Sequence, residues 1–316
     1  MNRREYLKTI TATACAAATG AFPARAVELP PSAAPGAEAP MPAGKIGKLQ
    51  LSRLLLGSNL LTQFIHAREM HYVNRLAAHY NTEAKIIETL ALAERHGINT
   101  ILMHNDQRFM PVLRRYRERE GGKIQLVISP DSPFTLPSHL EQVRRLADDG
   151  VDAIYLHGVH ADALIARDQA ARIGEAVEAI RQTGLPAGVA AHDLRVVTAC
   201  EKLGVANDFY VKTFHHHNYP GAPRPEDLRN PSSEIPGYWC KDPKDTIAVM
   251  KNVTKPWIAF KIMAAGAIPP RDAFPYAFQS GADHILVGMF DFEIAENAAT
   301  VRSALATLQR ARPWCS

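Results

Sequence analysis

The sequence has little of what would place a protein in a specialised class at once. It holds only four cysteines in 316 residues, with no Cys-x-x-Cys pair, so we expect neither a disulfide framework nor a cysteine-based zinc site. The 36 basic and 32 acidic residues are interspersed, and no basic stripe or arm predicts nucleic-acid binding. Behind the N-terminal segment no apolar run is long enough to span a membrane, so no integral membrane segment is expected there. Ordinary globular composition remains, with 47% hydrophobic residues.

The N-terminal segment predicts export. Arg3 and Arg4 open a polar, positive stretch, a weakly apolar run of small residues follows, and Ala-Arg-Ala at 24–26 fits a cleavage site. Residues 1–26 therefore resemble a signal peptide of the twin-arginine type, with a plain secretory signal as the alternative. Residues 27–44 are rich in proline and alanine and are typical of a linker. We expect a periplasmic or extracellular protein whose catalytic domain covers 45–316.

The remainder of the chain predicts a single (β/α)8 TIM barrel of the α/β class. Short apolar runs, typical of strands buried on both faces, alternate with segments of helical periodicity. The runs lie at 54–59, 100–106, 125–131, 153–158, 186–193, 208–214, 256–266 and 284–290. Glycine closes several of the helical segments before the next strand begins, as a left-handed helix end requires. Eight strand–helix pairs favour a closed barrel over a doubly wound open sheet, since no glycine-rich phosphate fingerprint follows the first run.

Polar side chains collect where these strands end, and in a barrel those ends form the active site. Asn59, His104, Asp106, His157 and His192 follow or close successive runs. We therefore expect an enzyme, with His157 and His192 as acid or base and Asp106 as a further catalytic group. Asn59 is expected to contact substrate.

The histidines also predict a divalent metal ion, because imidazole is the most common metal ligand in proteins. His104, His192 and His216 would come from three strands around one mouth, with zinc, manganese or iron as the ion. The alternative is that they contact substrate directly, without a metal.

The sixth run, DFYVKTF, carries a lysine within a buried strand. Strand alternation puts Lys212 and His216 on one face, which we expect to be directed at the site. Burial would lower the pKa of such a lysine and make it a nucleophile for carbonyl groups. DFYVKT and the later FKIMAAGAI and GADHILVG resemble deoxyribose-phosphate aldolases. That resemblance implies a Schiff base at Lys212, tuned by Lys261.

Two unusually long connections are expected to cover the site, since long loops in compact domains are usually lids or binding loops. Residues 60–81 contain Arg68 and His71, and residues 217–242 contain Tyr219 and Trp239. We expect these side chains to bind substrate, and the aromatic rings would suit a carbohydrate-like molecule.

A second resemblance covers more of the chain. KIGKLQLSRLLLGSN, TEAKIIETLALAERHGINT, the strand end LHG and the closing VGMFDFEIAENAATVRSAL are similar to aldo-keto reductases. The resemblance implies hydride transfer from NADPH, with an Asp, a Tyr, a Lys and a His as catalytic tetrad. Asp106 and His157 match two of these. The tyrosine and the lysine have no counterpart, since Tyr116 lies inside a helical segment and the third strand ends ISPDSP.

The primary expectation from the sequence is a lyase or isomerase. It would abstract a proton next to a carbonyl or hydroxyl group of a carbohydrate-like substrate, with a metal ion or Lys212 stabilising the oxyanion. The alternatives are an NAD(P)-dependent oxidoreductase, a Schiff-base aldolase using Lys212, and a carbohydrate-binding barrel without catalysis.

Overall fold

A computed structural model describes residues 39–67, 70–131, 134–228 and 240–316. It confirms the predicted (β/α)8 barrel. Its eight parallel strands are β3 (Leu54–Gly57), β4 (Thr100–His104), β5 (Gln125–Ser129), β6 (Ala153–Leu156), β7 (Ala187–Ala191), β8 (Phe209–Thr213), β9 (Trp257–Phe260) and β10 (His284–Gly288). They close on one another in the order β10-β3-β4-β5-β6-β7-β8-β9.

Each strand lies within one of the predicted apolar runs and is shorter than that run. The polar residues at the ends of the runs lie beyond the ladders, where the chain turns towards its helix. Side chains such as Leu55, Val127 and Val211 fill the barrel interior, while Leu54, Ile128 and Tyr210 pack outward against the helices. Near-continuous hydrophobicity therefore reflects burial on both faces.

The structure describes these helices between and after the strands: α1 (Asn59–Thr62), α2 (Tyr72–Tyr80), α3 (Glu83–Arg95), α4 (Met110–Arg119), α5 (Leu136–Asp148), α6 (Gly158–Ala166), α7 (Ala171–Arg181), α8 (Leu194–Lys202), α9 (Pro243–Met250), α10 (Pro270–Gln279) and α11 (Asp291–Ala306). The Thr82 hydroxyl accepts the Lys85 N–H and begins α3, and Gly97 follows its end with φ +81°. The predicted loop after the first strand contains α1 and α2. No helix of the described residues is long and apolar enough to span a bilayer.

A two-stranded hairpin, β1 (Ala43–Ile46) and β2 (Leu49–Ser52), closes the end of the barrel at which the strands begin. Ile46 and Leu51 are about 1% exposed and belong to the cluster that fills the barrel interior. The amide of Asn99, just before β4, donates to the Gln50 carbonyl at 2.8 Å. The hairpin was not predicted, and its first strand begins inside the segment expected to be linker. Residues 1–38, which include the predicted signal, lie outside the described part.

A charged network at the same end joins the C-terminal segment to the barrel. Asp283 is fully buried, and its carboxylate pairs with Arg312 at 3.1 Å and Arg310 at 3.3 Å. It also accepts the backbone N–H groups of Trp257 and Cys315, both at 2.9 Å. Every oxygen of this carboxylate thus has charged and neutral donors, which offsets the cost of burying it.

Candidate active site

The opposite end of the barrel, where the strands finish, contains a cavity of about 660 Å³ lined mostly by apolar atoms. This is the size range of small-molecule and cofactor sites. The predicted residues in its lining are Asn59, His104, His157, His192 and Lys261, and His66 and Asp131 join them. Residues from six different strand ends are thereby brought to one mouth, as a barrel requires.

His157 follows β6 and caps α6. Its Nδ1 accepts the backbone N–H of Val159 at 3.3 Å. Burial, followed by the nearby histidines and Lys261, lowers the pKa of His157 to about 3, so the ring is neutral at ordinary pH. Because Nδ1 is the acceptor, the single ring proton belongs on Nε2. His157 therefore presents a neutral N–H donor.

His192 follows β7 and is held by a carboxylate. Its Nδ1 lies 2.7 Å from Oδ2 of Asp162, and the backbone N–H groups of His192 and Asp193 donate to Oδ1 of Asp162 at 3.1 and 3.0 Å. Asp162 projects from α6 and is 6% exposed. This arrangement fixes the ring and places the Nδ1 proton between the two groups.

The turn after β9, Lys261–Gly266, has an unusual backbone. Lys261, Ala264, Ala265 and Gly266 have φ values of +56°, +47°, +58° and +85°. Side chains other than glycine rarely adopt such values, and strained residues of this kind cluster at functional sites. Among the described residues, no acceptor takes the N–H groups of Met263, Ala265 and Gly266, and all three residues line the cavity. Backbone N–H groups of a turn with such φ values can together form a concave anion site, although here the N–H of Ala264 is bonded to the Lys261 carbonyl.

His215 holds the first residue of this turn by a hydrogen bond. Its Nδ1 donates to the Lys261 carbonyl at 3.1 Å, and the side chain is fully buried. Burial, then the charge of His217, lowers the pKa of His215 to about 3, so the ring remains a neutral donor. The second histidine of the triple run thus fixes the strained lysine in place rather than contacting the cavity.

Lys212 is not among the described lining residues of the cavity. Val211 lines it, and alternation directs Lys212 to the outer face of β8. Its Nζ donates to the carbonyl and the hydroxyl of Thr213, both at 2.9 Å, and burial lowers its pKa. The sequence-based assignment of faces was inverted because periodicity gives the alternation of a strand but not which face is inside. The geometry gives no support to a Schiff base at this residue.

The predicted metal ligands do not assemble. His216 lies outside the described lining of the cavity, with its ring 4.9 Å from that of Tyr276, whereas His104 and His192 line the cavity. In the described ranges no three His, Cys, Asp or Glu residues are close enough to hold an ion. The divalent metal therefore has no support in the geometry.

The other predicted residues are dispersed. Asp106 is buried beside the mouth, where it caps its own loop and pairs with Arg108 at 2.8 Å. His71 is exposed at the start of α2, and Tyr219 packs near His215 and His216. Arg68 and Trp239 lie outside the described residues.

Sequence reasoning missed Asp162 and the Lys261–Gly266 turn. Asp162 lies within an ordinary apolar helix, and nothing local marks it as the partner of a histidine 30 positions later. The turn was read as part of the seventh strand. Its small residues, Ala264-Ala265-Gly266 directly before Ala267, were the available signal, because β-branched residues are absent where the left-handed turn occurs.

Comparison with known proteins finds likeness at the level of structure. No protein-family model matches the chain, and no curated protein matches its sequence. A Pseudomonas aeruginosa protein provisionally described as an aldo-keto reductase superposes with a TM-score of 0.56 at 20% identity, covering 84% of this chain and 94% of its own. A second structure so described, from the same organism, gives 0.55 at 19% identity and covers 83% and 96%. The aldo-keto reductase AKR11C1 from Bacillus halodurans, in its holo form, gives 0.51 at 11% and covers 86% and 98%.

These comparisons correct the primary expectation from the sequence. The similar solved barrels are described as reductases, which contradicts a lyase or isomerase and favours the oxidoreductase alternative. None of the structures named above is described as an aldolase, so they do not support the predicted resemblance to deoxyribose-phosphate aldolases. At these identities the likeness establishes the fold, and this chain has the same barrel as the aldo-keto reductase structures.

Proposed function

We propose that this protein is a nicotinamide-dinucleotide-dependent oxidoreductase that reduces a small carbonyl compound or oxidises the corresponding alcohol. One observation carries the proposal. A single cavity at the catalytic end of the barrel joins an anion-binding turn, Lys261–Gly266, to a neutral imidazole donor, His157. The similar aldo-keto reductase barrels support it.

The residues of the cavity fit the phosphate part of such a cofactor. The loops after the seventh and eighth strands of these barrels frequently bind phosphate. Here the loop after the seventh strand offers three N–H donors without an acceptor in the described part of the chain, beside the ammonium group of Lys261. The hydrogen bond from His215 to the Lys261 carbonyl holds the strained start of this turn in place.

The rest of the cavity fits a flat, weakly polar ring. Phe260, Val211, Leu286 and Tyr155 contribute to a mostly apolar lining. The bound dinucleotide would supply or accept a hydride, and the apolar lining would exclude water from that exchange.

His157 would act on the substrate oxygen. Neutral, and with its proton on Nε2, it can donate a hydrogen bond to a carbonyl oxygen and stabilise the negative charge that develops there during reduction. The tyrosine and lysine of the aldo-keto reductase tetrad are absent, and Asp106 is paired with Arg108 outside the described lining. His157 is therefore the tetrad position that the cavity retains. The substrate class beyond a small carbonyl compound, including the carbohydrate-like expectation, stays a prediction.

Titration of the full chain with NADPH and NADH, followed by protein fluorescence, tests the proposal. We expect saturable binding of at least one, and at least about tenfold weaker binding by Lys261→Met, because about 1.4 kcal/mol of charge attraction is lost. The matched control is Lys251→Met, an exposed lysine outside the cavity lining. No binding of either dinucleotide would contradict the proposal.

Export remains part of the proposal. Arg3 and Arg4 favour the twin-arginine route, which carries folded proteins, so a cytoplasmic dinucleotide could be bound before transport. Fractionation of cells expressing the full chain tests this. Periplasmic accumulation that is lost in an Arg3→Lys, Arg4→Lys double variant is expected, and cytoplasmic retention of the unaltered chain would contradict it.

A further inference from the structure

We propose that His192 and Asp162 form a catalytic dyad in which His192 delivers the proton to the substrate oxygen during carbonyl reduction and Asp162 positions it. The inference rests on the proposed function and extends it to a residue pair outside the aldo-keto reductase tetrad. His192 lines the same cavity as His157, and the pair joins two elements, the end of β7 and helix α6.

The hydrogen bonds of Asp162 determine which nitrogen of His192 can react. Oδ2 takes the Nδ1 proton at 2.7 Å, and Oδ1 accepts the backbone N–H groups of His192 and Asp193. Both carboxylate oxygens are committed, so the aspartate cannot rotate away. Nε2 is then the nitrogen that gains or loses a proton when His192 changes charge.

His157, one of the three other histidines that line the cavity with His192, is unsuited to this task. His157 uses Nδ1 to accept the Val159 N–H, and among the described residues no carboxylate is paired with its ring to stabilise a protonated form. His192 has such a carboxylate, which stabilises the imidazolium form. The two rings thus have different environments, and the difference assigns hydrogen-bond donation to His157 and proton transfer to His192.

Close packing keeps the His192 ring in this position. Gly158, the first residue of α6, lies against it, and a β-carbon there would be 3.1 Å from Cε1 and 3.2 Å from Nδ1 of His192. The Phe260 ring packs on it with centroids 5.4 Å apart. Glycine at 158 is what lets the histidine approach α6 closely enough to reach Asp162.

In the reaction of the proposed function, the carbonyl carbon would receive a hydride, with its electron pair, from the reduced dinucleotide, and the π electrons of the C=O bond would move to oxygen. That oxygen takes the proton from Nε2 of His192 as it forms the alcohol. The substrate is reduced and the dinucleotide oxidised, while His192 is left neutral, with Nδ1–H still directed at Asp162. Solvent restores the proton.

The charged and titratable groups around His192 set its response to pH. Asp162 from α6 favours the protonated ring. His157 at the end of β6 and His66 in the connection after β3 disfavour it, and each of these two histidines also interacts with Lys261 at the end of β9. Lys212 on β8 lies near enough to Asp162 to interact with its charge. Loss of the Asp162 charge should therefore move proton loss from His192 to lower pH.

The test compares the full chain with three variants: Asp162→Asn, His192→Gln and the control Asp193→Asn. Asp193 is equally buried and adjacent in sequence, but caps α8 and pairs with Arg195 at 2.6 Å. Long-range proton–nitrogen NMR spectra report which ring nitrogen of His192 carries the proton. The rate of NADPH oxidation with 4-nitrobenzaldehyde, measured across pH, reports proton delivery.

We expect the Nδ1–H form in the full chain and a shift away from it in Asp162→Asn. We also expect kcat to fall about 10²-fold in Asp162→Asn and His192→Gln, with the alkaline limb of the pH profile moved to lower pH in the first and abolished in the second. Asp193→Asn should leave the tautomer and the pH profile unchanged.

An unchanged tautomer and profile in Asp162→Asn, or equal losses in the control, would overturn the dyad. If the full chain binds no dinucleotide, the proposed function fails, and the catalytic role fails with it. If the full chain binds the dinucleotide and reduces the aldehyde, but the pH profile is the same in Asp162→Asn, only the proposed dyad is wrong.

Discussion

The two ends of the barrel differ in how their polar groups are paired. At the end where the strands begin, the Asp283 carboxylate pairs with two arginines and accepts two backbone N–H groups. The guanidinium carbons of Arg53 and Arg310 lie 3.8 and 3.5 Å from the ring centroid of Trp314. At the end where they finish, three backbone N–H groups of the Lys261–Gly266 turn have no acceptor among the described residues, and the nearby backbone is strained. Paired charges around Asp283 stabilise one end, whereas the turn at the other end leaves backbone donors for the ligand that we propose.

The largest loss of stability is expected from breaking the ion pairs of Asp283. Asp283→Ala should cost about 3–5 kcal/mol of unfolding free energy, because it leaves two buried arginines without their carboxylate. Urea unfolding measures it. Asp149→Ala, which breaks an exposed pair with Arg114, should cost about 1 kcal/mol or less. Equal losses from the two changes would contradict the contrast.

At the open end we expect loss of activity without loss of stability. His157→Phe should lower kcat for carbonyl reduction about 10²-fold, corresponding to about 3 kcal/mol of transition-state stabilisation, because the donor to the substrate oxygen is removed. The unfolding free energy should change much less than in Asp283→Ala, since His157 is only partly buried. Steady-state kinetics with NADPH and an aldehyde, beside urea unfolding, checks both. A variant whose unfolding free energy falls but whose kcat is unchanged would refute this role of His157.

The sequence was informative wherever hydrophobic periodicity decides the structure. The strands β3 to β10 lie inside the predicted runs, because burial on both faces requires continuous apolar residues. The hairpin β1–β2 was missed, since four-residue strands beside a proline-rich stretch carry too little pattern. The sequence also does not determine the register of the strands or which face of a strand lies inside the barrel. For that reason Lys212 was predicted on the wrong face.

The candidate site was predictable in part, because strand ends mark the mouth of a barrel. His157, His192 and Lys261 were named from that rule and line the cavity. Asp162 and the left-handed turn depend on tertiary contacts between segments distant in the chain, such as the His215 bond to Lys261 across 46 positions. No local pattern encodes such contacts.

Acid should weaken the end of the barrel at which the strands begin, through the buried histidine His284. His284 is fully buried, Nδ1 donates to Ser52 at 2.8 Å, and burial, then the charge of Arg53, lowers its pKa to about 3. The folded pKa lies below the unfolded one, so the stabilisation is present above about pH 6.5 and is lost as pH falls towards 3. Between pH 6.5 and 5 this histidine should contribute a loss of about 2 kcal/mol. Urea unfolding of His284→Gln should show a correspondingly smaller loss, and an unchanged pH dependence would contradict the prediction.

The smallest effect should come from relieving strain at the open end. Ala265→Gly removes a side chain at φ +58°, and the relief should exceed the entropy cost of glycine by up to about 1 kcal/mol. Thermal unfolding measures the gain. The matched change Ala176→Gly, in the interior of α7, should be destabilising. Destabilisation by both would show that the turn is not strained.

Binding of a nicotinamide dinucleotide phosphate by the Lys261–Gly266 turn is tested most directly by the change in backbone amide NMR shifts on adding NADP⁺ to the full chain. We expect the largest changes at Met263, Ala265 and Gly266, with His157 also affected and Asp283 and Trp257 unaffected. Saturable binding without changes in the turn, or no binding at all, would contradict it.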